Sequence, residues 1–306
     1  MNFFGEAFEI YIYSTKGNLF DFEKYQQCHS IVDSRNMMLR SNPIDTQADP
    51  FLFVYNKELY LFFEEKNCVG KGFLKMTKSK DLINWTKPII VLKENFHLSF
   101  PFVFSMNGKV YMMPETNENN CIAIYEAIDE SLSSFSLKKK IIELAPHDDI
   151  TLSFVDSSFV EKDGICYLMT TIKRNEEYSL ELYYADSLMG EFVKHPCSPL
   201  CVSNKYGRNG GRIQFYDGSL YRFSQDCFDS YGNNITVHRI NRISETEYEE
   251  EVFIENLIPN KDPFKIGGHQ FNFCEFNNQL VVALDAKHRH NYFYQRAINK
   301  VKSMLK

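Results

Sequence analysis

The sequence lacks the features that mark several common classes of protein. No run of about 18 apolar residues occurs in it, so we expect no membrane-spanning helix. Its eight cysteines include no Cys-x-x-Cys pair, which is typical of reduced thiols rather than of a metal site. The net charge is −6, whereas nucleic-acid binders are usually basic. Proline and glycine, with 10 and 14 residues, are not enriched, so no linker divides the chain.

The first residues also lack the pattern of a secretory signal. Residues 1–14 carry Glu6 and Glu9 and have no basic region before an apolar run. Together with the scattered cysteines, this absence predicts a cytoplasmic protein.

What the sequence has is a repeated, aromatic-rich hairpin. Residues 48–64 form two strand-like runs around Asn56-Lys57, a pattern that predicts a β-hairpin. Four further hairpins follow, with turns at Asn107-Gly108, Asp163-Gly164, Asp217-Gly218 and Asn277-Asn278. Asn-Gly and Asp-Gly suit the positive φ angles of tight hairpin turns.

The spacing of the turns predicts the fold. They begin at 56, 107, 163, 217 and 277, in steps of 51 to 60 residues, and an internal period of this size in an all-β chain is typical of a propeller. We therefore predict a five-bladed β-propeller over residues 1–290, with blades starting near 49, 97, 156, 208 and 267. Residues 8–13 alternate like a strand and are available to close the last blade. A sandwich with similar hairpins is the alternative, although sandwiches need not space hairpins evenly.

The last residues have a different period. Apolar residues Phe293, Ala297, Val301 and Leu305 are spaced by four, which predicts a short amphipathic helix over 291–306. Basic residues lie largely off this stripe, at Arg296, Lys300, Lys302 and Lys306. Such a helix either caps the propeller or makes peripheral contact with a membrane.

The propeller geometry converts the repeats into a candidate site. Seven residues before each turn, at about 3.3 Å per residue, lies a ring roughly 23 Å away at the other mouth of the central channel. The ring residues are Asp49, Phe100, Asp156, Gly210 and Gln270. Their expected cross-strand partners are Glu64, Glu115, Thr171, Gln225 and Asp285. So many acids at one mouth indicate a polar cavity, because buried acids need partners.

Several short motifs give a more specific resemblance. Ala48-Asp49-Pro50, the turn Ser79-Lys80-Asp81-Leu82-Ile83-Asn84-Trp85 and the five repeats resemble the five-bladed propellers of glycoside hydrolase families 43, 32, 62 and 68, over about residues 48–286. The chain resembles in particular the propeller at the N-terminus of glucosamine inositolphosphorylceramide transferases and in bacterial surface-polysaccharide gene products. The stretches that carry this likeness are 97–104, 114–116, 183–190, 220–222 and 225–227.

The resemblance implies roles for the two ring aspartates. In the hydrolases, the residue matching Asp49 is the base or nucleophile, and the one matching Asp156 tunes the acid and holds substrate. Two carboxylates flanking a sugar suit glycosidic chemistry. The alternative is structural: Asp-Pro starts a strand and Asp156 caps a turn.

The chain departs from the resembled pattern at the general acid. Where the hydrolases have a Glu at the start of blade four, this chain has Gly210-Gly211-Arg212, so a proton donor is missing unless Glu115 replaces it. Arg212, with Arg208 nearby, suits a phosphate leaving group. The alternative for Arg212 is a salt bridge to Asp156 or Glu115.

Other residues near the ring are candidate substrate contacts. They are His97, Ser99, Phe100, Gln225, Asp226, His269 and Gln270, with Phe100 as the sugar-stacking platform. In some resembled proteins the residue matching His269 touches a metal, but a lone histidine is a weak metal signal. We predict no metal and no cofactor.

These observations predict a carbohydrate-active enzyme. Glycosyl transfer from a nucleotide sugar to a glycan acceptor, in surface polysaccharide assembly, is favoured over hydrolysis by the missing acid and by Arg212. A hydrolase with a relocated acid and a non-catalytic glycan-binding propeller are the alternatives.

Overall fold

The computed structural model describes residues 4–31, 46–66, 70–144, 152–175 and 177–291. These residues form five antiparallel sheets, which confirms the predicted all-β five-bladed propeller. Most of the predicted C-terminal helix, residues 292–306, lies outside the described residues, so that part of the prediction stays open. No helix among the described ranges is long and apolar enough to cross a bilayer.

The blades follow the chain in order, except that the last one contains the first strands. The strand bounds are β1 Phe4–Thr15, β2 Gln26–Ile31, β3 Thr46–Tyr55, β4 Glu58–Lys66, β5 Phe73–Ser79, β6 Ile89–Leu92, β7 Ser99–Met106, β8 Lys109–Glu115, β9 Cys121–Ala127, β10 Phe135–Glu143, β11 Leu152–Lys162, β12 Ile165–Arg174, β13 Glu177–Ala185, β14 Val193–Lys194, β15 Cys201–Val202, β16 Gln214–Tyr216, β17 Ser219–Asp226, β18 Asn234–Ile243, β19 Tyr248–Ile254, β20 Phe271–Phe276 and β21 Gln279–Asn291. Blade one comprises strands β3 to β6, blade two β7 to β10, blade three β11 to β15 and blade four β16 to β19. Blade five has the strand order β2-β1-β21-β20. Two short 3-10 helices span Phe22–Lys24 and Asn117–Asn119.

All five repeated turns are two-residue hairpin turns, as predicted. The residues at both positions of each turn have positive φ angles, from 47° at Asp217 to 81° at Gly164. This conformation favours Gly and Asn because a side chain with a bulky Cβ is strained there. The turn residues thus fix where each hairpin reverses, and with it the register of the two inner strands of each blade.

The N-terminal strand closes the ring. Strand β1 pairs along its whole length with β21, from Phe4 opposite Asn291 to Thr15 opposite Leu280. Its inward residues Ile10 and Ile12 are fully buried against Leu52 and Leu61 of blade one, so the strand joins the last blade to the first. This closure pairs the edge that β21 would otherwise leave open.

The three first blades share a bulge at the predicted ring. The pairing register shifts between Ala48 and Phe51, between Ser99 and Phe102, and between Val155 and Ser158. Consequently Glu64 pairs with Ala48 and not with Asp49, and the pairing of Glu115 is likewise one residue earlier than expected. Bulges re-aim side chains and are frequent beside functional sites.

At each of these bulges the ring residue adopts a left-handed backbone. The φ angles are 53° for Asp49, 47° for Phe100 and 50° for Asp156. This conformation is uncommon for residues other than glycine, asparagine and aspartate, and it costs of order 1–3 kcal/mol where it occurs. The same strained turn in three successive blades therefore needs compensating interactions, which the site described below supplies.

Closure through β1 predicts a large stability difference between two isoleucines. Ile12→Ala removes a fully buried side chain between blades five and one and should lower the free energy of unfolding by about 2–5 kcal/mol. Ile83→Ala, at a side chain that is 79% exposed, should change it by less than about 0.5 kcal/mol. Chemical denaturation of both variants measures the difference. Equal effects would mean that β1 is not an integral strand of the ring.

Candidate active site

A chain of hydrogen bonds from backbone amides to carboxylates links neighbouring blades at the ring. The Asp49 amide donates to Asp285 Oδ2 of blade five at 3.1 Å, and the Phe100 amide donates to Asp49 Oδ2 at 3.0 Å. The Asp156 amide in turn donates to Glu115 Oε2 at 3.3 Å. Each bulge therefore presents its amide to a carboxylate of the preceding blade, and this contact accounts for the shared left-handed geometry.

Blade four reaches blade three through side chains instead. Arg208 Nε donates to Asp156 Oδ2 at 2.5 Å, and Gln225 Nε2 donates to the same oxygen at 3.1 Å. The guanidinium lies between the rings of Tyr178 and Tyr231, 5.2 and 4.9 Å from their centroids. Burial alone would lower the pKa of Arg208, but Asp156 raises it well above its ordinary value, so the pair is ionic. The circle is completed by the Phe271 amide, which donates to the Gly210 carbonyl at 2.8 Å.

The surroundings of Glu115 favour its protonated form. Its carboxyl group is buried, and burial together with the neighbouring Asp156 raises its pKa well above the usual range, against the opposing effect of Arg208. Its side chain also forms a hydrogen bond with Asp156. Two carboxyl groups this close cannot both ionise easily, so one retains the proton. Glu115 therefore lies at the predicted ring with its protonated form favoured, and its role as a replacement acid stays a prediction.

The pKa of Asp49 is raised by the same two causes, burial and neighbouring carboxyl groups, but less strongly. Burial raises its pKa to about 6, and the nearby Asp156 and Asp285 add to that rise, while His269 and the Phe100 amide oppose it. Asp49 is therefore largely ionised at neutral pH, while Glu115 is not. Nε2 of His269 lies 3.5 Å from Asp49 Oδ1, which is within ion-pairing distance of the aspartate.

His269 is fixed between two aspartates and an aromatic ring. Its Nδ1 lies 2.6 Å from Asp285 Oδ2, and its ring stacks on Phe8 at 4.1 Å between centroids. Burial alone would lower its pKa, but Asp285 and Asp49 outweigh burial and raise the pKa to about 9. The imidazole is consequently a cation at neutral pH.

These three residues also form a possible metal cluster. One ligand atom each from Asp49, His269 and Asp285 lie within 4.8 Å of one another. A metal would have to displace the proton from His269, whose single positive charge already faces both carboxyl groups. The arrangement therefore fits an ion-paired triad better than a metal centre, and we assign no metal role to it.

A further acid, Glu64, and a histidine, His97, lie close together at the same end of the channel. Glu64 is buried, and burial followed by repulsion from Asp49 raises its pKa to about 8. Its Oε1 lies 3.6 Å from His97 Nε2 and has no hydrogen-bond partner among the described residues. His97 Nδ1 accepts the Gly72 amide at 2.9 Å, and burial lowers the pKa of His97 to about 4, so the ring is neutral. A Cβ at position 72 would collide with Glu64 and with the Leu98 carbonyl, so only glycine fits there.

Two more predicted residues belong to this end of the channel. Ser99 is buried and pairs with Glu115 across the strands. Gln270 is 1% exposed, and its backbone amide donates to Asp285 Oδ1 at 3.0 Å. Neither polar atom of its side-chain amide has a partner among the described residues. A buried amide without partners is costly, so Gln270 is ready to bind a polar ligand or water.

Two residues that were predicted to contact substrate, Arg212 and Phe100, are placed differently in the structure. Arg212, expected at this mouth, lies further down the channel, where its Nη2 donates to the carbonyls of Val103 and Leu52; it pairs with neither Asp156 nor Glu115. Its position two residues beyond the ring turns it away from the acids. Phe100, expected as a stacking platform, is fully buried against Phe51, so only its amide serves the site.

Asp226 forms hydrogen bonds within a loop, and none of its described contacts is with the acids of the ring. Its Oδ1 accepts the Phe228 amide at 2.9 Å, and its Oδ2 accepts Asn233 Nδ2 at 3.3 Å. These bonds shape the loop that carries Tyr231 over Arg208. A direct role for Asp226 with substrate stays a prediction.

The sequence analysis did not identify four residues that build the site. Tyr178 and Tyr231 enclose Arg208, Phe8 stacks on His269, and Asn209 Nδ2 donates to the Asp156 carbonyl at 2.8 Å. Tyr178, Tyr231 and Phe8 come from outside the repeated hairpins, and no spacing rule indicates them. Asn209 could have been found, because it directly precedes the ring position of blade four.

The fold is one that solved glycoside hydrolases of several families share. A family-43 glycoside hydrolase shares the fold at a TM-score of 0.52 with 16% identity over 72% of this chain and 78% of its own. A family-32 β-fructofuranosidase from Bombyx mori does so at 0.58 with 14% identity over 79% and 55%. A family-117 glycoside hydrolase from Zobellia galactanivorans has a TM-score of 0.55, with 13% identity over 79% and 84%. At these identities the likeness is one of fold.

Sequence comparison identifies the family. Residues 26–272 match the family model described as glucosamine inositolphosphorylceramide transferase 1, N-terminal, and the chain belongs to this family. Glucosamine inositolphosphorylceramide transferase 1 of Arabidopsis thaliana is 39% identical over 216 residues, or 68% of this chain, and its counterpart from Oryza sativa subsp. japonica is 35% identical over 218 residues, also 68% of this chain. The match covers 27% and 28% of these relatives, so the chain spans about a quarter of their length.

The triad predicts a pH-dependent stability. A raised pKa of His269 stabilises the fold fully below the ordinary value of 6.5, and that contribution is lost as pH rises through about 9. His269→Gln should therefore be less stable than wild type by about 3 kcal/mol near pH 6, with the difference shrinking toward pH 9.

Denaturation at a series of pH values tests this expectation, with His238→Gln as the matched control. Burial lowers the pKa of His238 to about 3, so its removal should cost the same at pH 7 and at pH 9. A pH-independent difference for His269→Gln would contradict the ion-paired triad.

Proposed function

We propose that this chain catalyses glycosyl transfer at the carboxyl ring, with Asp49 as the base and Glu115 as the acid. The observation that carries the proposal is the contrast between these two groups. Burial raises the pKa of Asp49 only to about 6, whereas burial and Asp156 raise that of Glu115 well above its usual range. Two carboxyl groups of opposite protonation at one end of a channel are the general requirement for acid–base chemistry on a glycosidic bond.

Asp49 and Glu115 account for both proton transfers in the proposed step. Asp49 takes the proton of an acceptor hydroxyl as that oxygen bonds to the anomeric carbon. The bond from the anomeric carbon to the leaving oxygen breaks, its electron pair stays on that oxygen, and Glu115 supplies the proton. Asp156, paired with Arg208, positions the Glu115 carboxyl through its amide and side chain. Gln270, Glu64 and His97 are the proposed contacts to sugar hydroxyls.

The names of the relatives support transfer. The plant proteins are named glucosamine inositolphosphorylceramide transferases, and a carbohydrate donor and a lipid-linked acceptor are accordingly proposed for this chain. A nucleotide-sugar donor in surface-glycan assembly is the more specific form of the proposal. Arg208 is the cation at the ring that would face such a donor's phosphate, although it is also bound to Asp156.

Hydrolysis is the second candidate, and one observation favours it. A protonated Glu115 supplies the proton donor whose absence in blade four argued against a hydrolase. Water in place of the acceptor hydroxyl would then give a free sugar by the same acid–base step. The two candidates therefore differ in the acceptor and share the catalytic pair.

Product analysis separates them. The protein is incubated with a panel of nucleotide sugars and aryl glycosides, with and without glycan and glycolipid acceptors, and products are identified by mass spectrometry. We expect an acceptor-dependent glycoside product. Asp49→Asn and Glu115→Gln should each lower its rate by about 100-fold or more.

Asp163→Asn is the control, since this residue lies at an exposed hairpin turn at the opposite end of the propeller. It should leave the rate unchanged. A free sugar without transfer would replace the proposal by the hydrolase. Saturable glycan binding without any turnover would overturn both catalytic candidates in favour of a binding module.

A further inference from the structure

The first observation is a half-buried arginine without a carboxylate partner. Arg208 is paired with Asp156, and the fully buried Arg222 is paired with Glu250. Arg212 differs: its described hydrogen bonds go to the carbonyls of Leu52 and Val103 alone, and its guanidinium lies 4.9 Å from the centroid of Phe102. Burial lowers its pKa to about 10, with no carboxylate among the groups that oppose the shift. A partly desolvated charge with only neutral partners is costly to the fold.

The second observation is a cavity against this arginine. An open cavity of about 960 Å³ lies at the hairpin-turn end of the channel, opposite the carboxyl ring. Its lining residues include Arg212, Lys16, Gln214, Leu52 and Phe53. Nε and Nη1 of Arg212 have no hydrogen-bond partner among the described residues. The cavity therefore offers unused guanidinium donors on its wall and a second cation, the exposed Lys16, at its rim.

A neighbouring amide adds a further unused donor. Asn272 is 1% exposed and accepts the Leu52 amide on its Oδ1 at 2.8 Å, beside the Leu52 carbonyl that Arg212 contacts. Its Nδ2 has no partner among the described residues. Buried polar groups are almost always satisfied, so this amide is one of the exceptions, but Asn272 does not line the cavity and is not part of the proposed site.

The acids around the cavity do not cancel this cation. Asp217 and Glu275 also line it, but both are exposed, and neither forms an ion pair with Arg212 in the described part of the chain. Solvent and salt screen exposed charges far more than enclosed ones. Lys16 is as exposed as the two acids and is screened as they are, so the half-buried Arg212 is the lining charge that sets a preference for an anion.

We propose that this cavity binds a small phosphorylated anion, held by Arg212 and Lys16, at a second site separate from the carboxyl ring. The planar guanidinium donates in a fork that matches phosphate oxygens, and a phosphate carries enough charge to satisfy two cations. The site is independent of the proposed glycosyl chemistry, because it opens at the other end of the channel. It explains why the chain keeps an arginine where no carboxylate balances it.

Direct binding tests the proposal, with inorganic pyrophosphate and inorganic phosphate as the probes. Isothermal titration calorimetry on wild type should give saturable binding of at least one probe. Arg212→Gln should weaken it by about tenfold or more, since a hydrogen bond between charged partners is lost. Lys16→Gln, on the exposed rim, should weaken it less and should reduce its dependence on salt.

Arg239→Gln is the matched control. This arginine belongs to the same blade and is partly exposed, but it is paired with Glu251 and does not line the cavity. It should bind the probes as wild type does. If Arg212→Gln fails to fold, the Lys16→Gln titration and the salt dependence decide the question. No saturable binding to wild type at millimolar probe, or binding that neither cavity variant weakens, would overturn the proposal.

Discussion

The structure depends on one repeated contact, in which a backbone amide at the start of a blade donates to a carboxylate of the blade before it. The side chain of Asp285 accepts the Asp49 amide, that of Asp49 accepts the Phe100 amide, and that of Glu115 accepts the Asp156 amide. A hydrogen bond to an ionised acceptor such as Asp49 contributes about 1.5–3 kcal/mol, and one to a neutral acceptor such as a protonated Glu115 contributes about 0.5–1.5 kcal/mol, against the roughly 1–3 kcal/mol that a left-handed residue costs. The strained bulges and the buried acids therefore form one joint between neighbouring blades, in which the bulge supplies the amide and the acid supplies the acceptor.

This joint gives the acids their chemical differences. A carboxylate that accepts an amide and faces a histidine cation, as Asp49 does, stays ionised near neutral pH. A carboxyl beside another carboxyl, as Glu115 is beside Asp156, keeps its proton. One structural device thus supplies both the proposed base and the proposed acid at the same channel mouth. The proposed catalytic pair needs no residue beyond those that already hold the blades together, so removing either should affect both stability and chemistry.

The repeats were enough to predict the fold, because two-residue turns with positive φ mark each hairpin and the spacing leaves room for one blade each. The same count placed Asp49, Glu115, Asp156 and Gln270 at one mouth. It failed for Arg212, because the count gives a position along the strand and cannot say which way a long side chain runs in the channel. It could not foresee the one-residue bulge that shifts the pairing of Glu64, since a bulge leaves the hairpin turn unchanged.

The central claim is that Glu115 holds a proton at neutral pH within a carboxyl pair, and infrared spectroscopy tests it most directly. The absorption of a protonated carboxylic acid is distinct from that of a carboxylate, and other acids such as Glu64 cancel in the difference between wild type and Glu115→Gln. The account predicts that wild type at pH 7 has a neutral carboxyl band that the variant lacks. A difference spectrum with only carboxylate bands would contradict it, because Glu115 would then be ionised and unable to act as the acid.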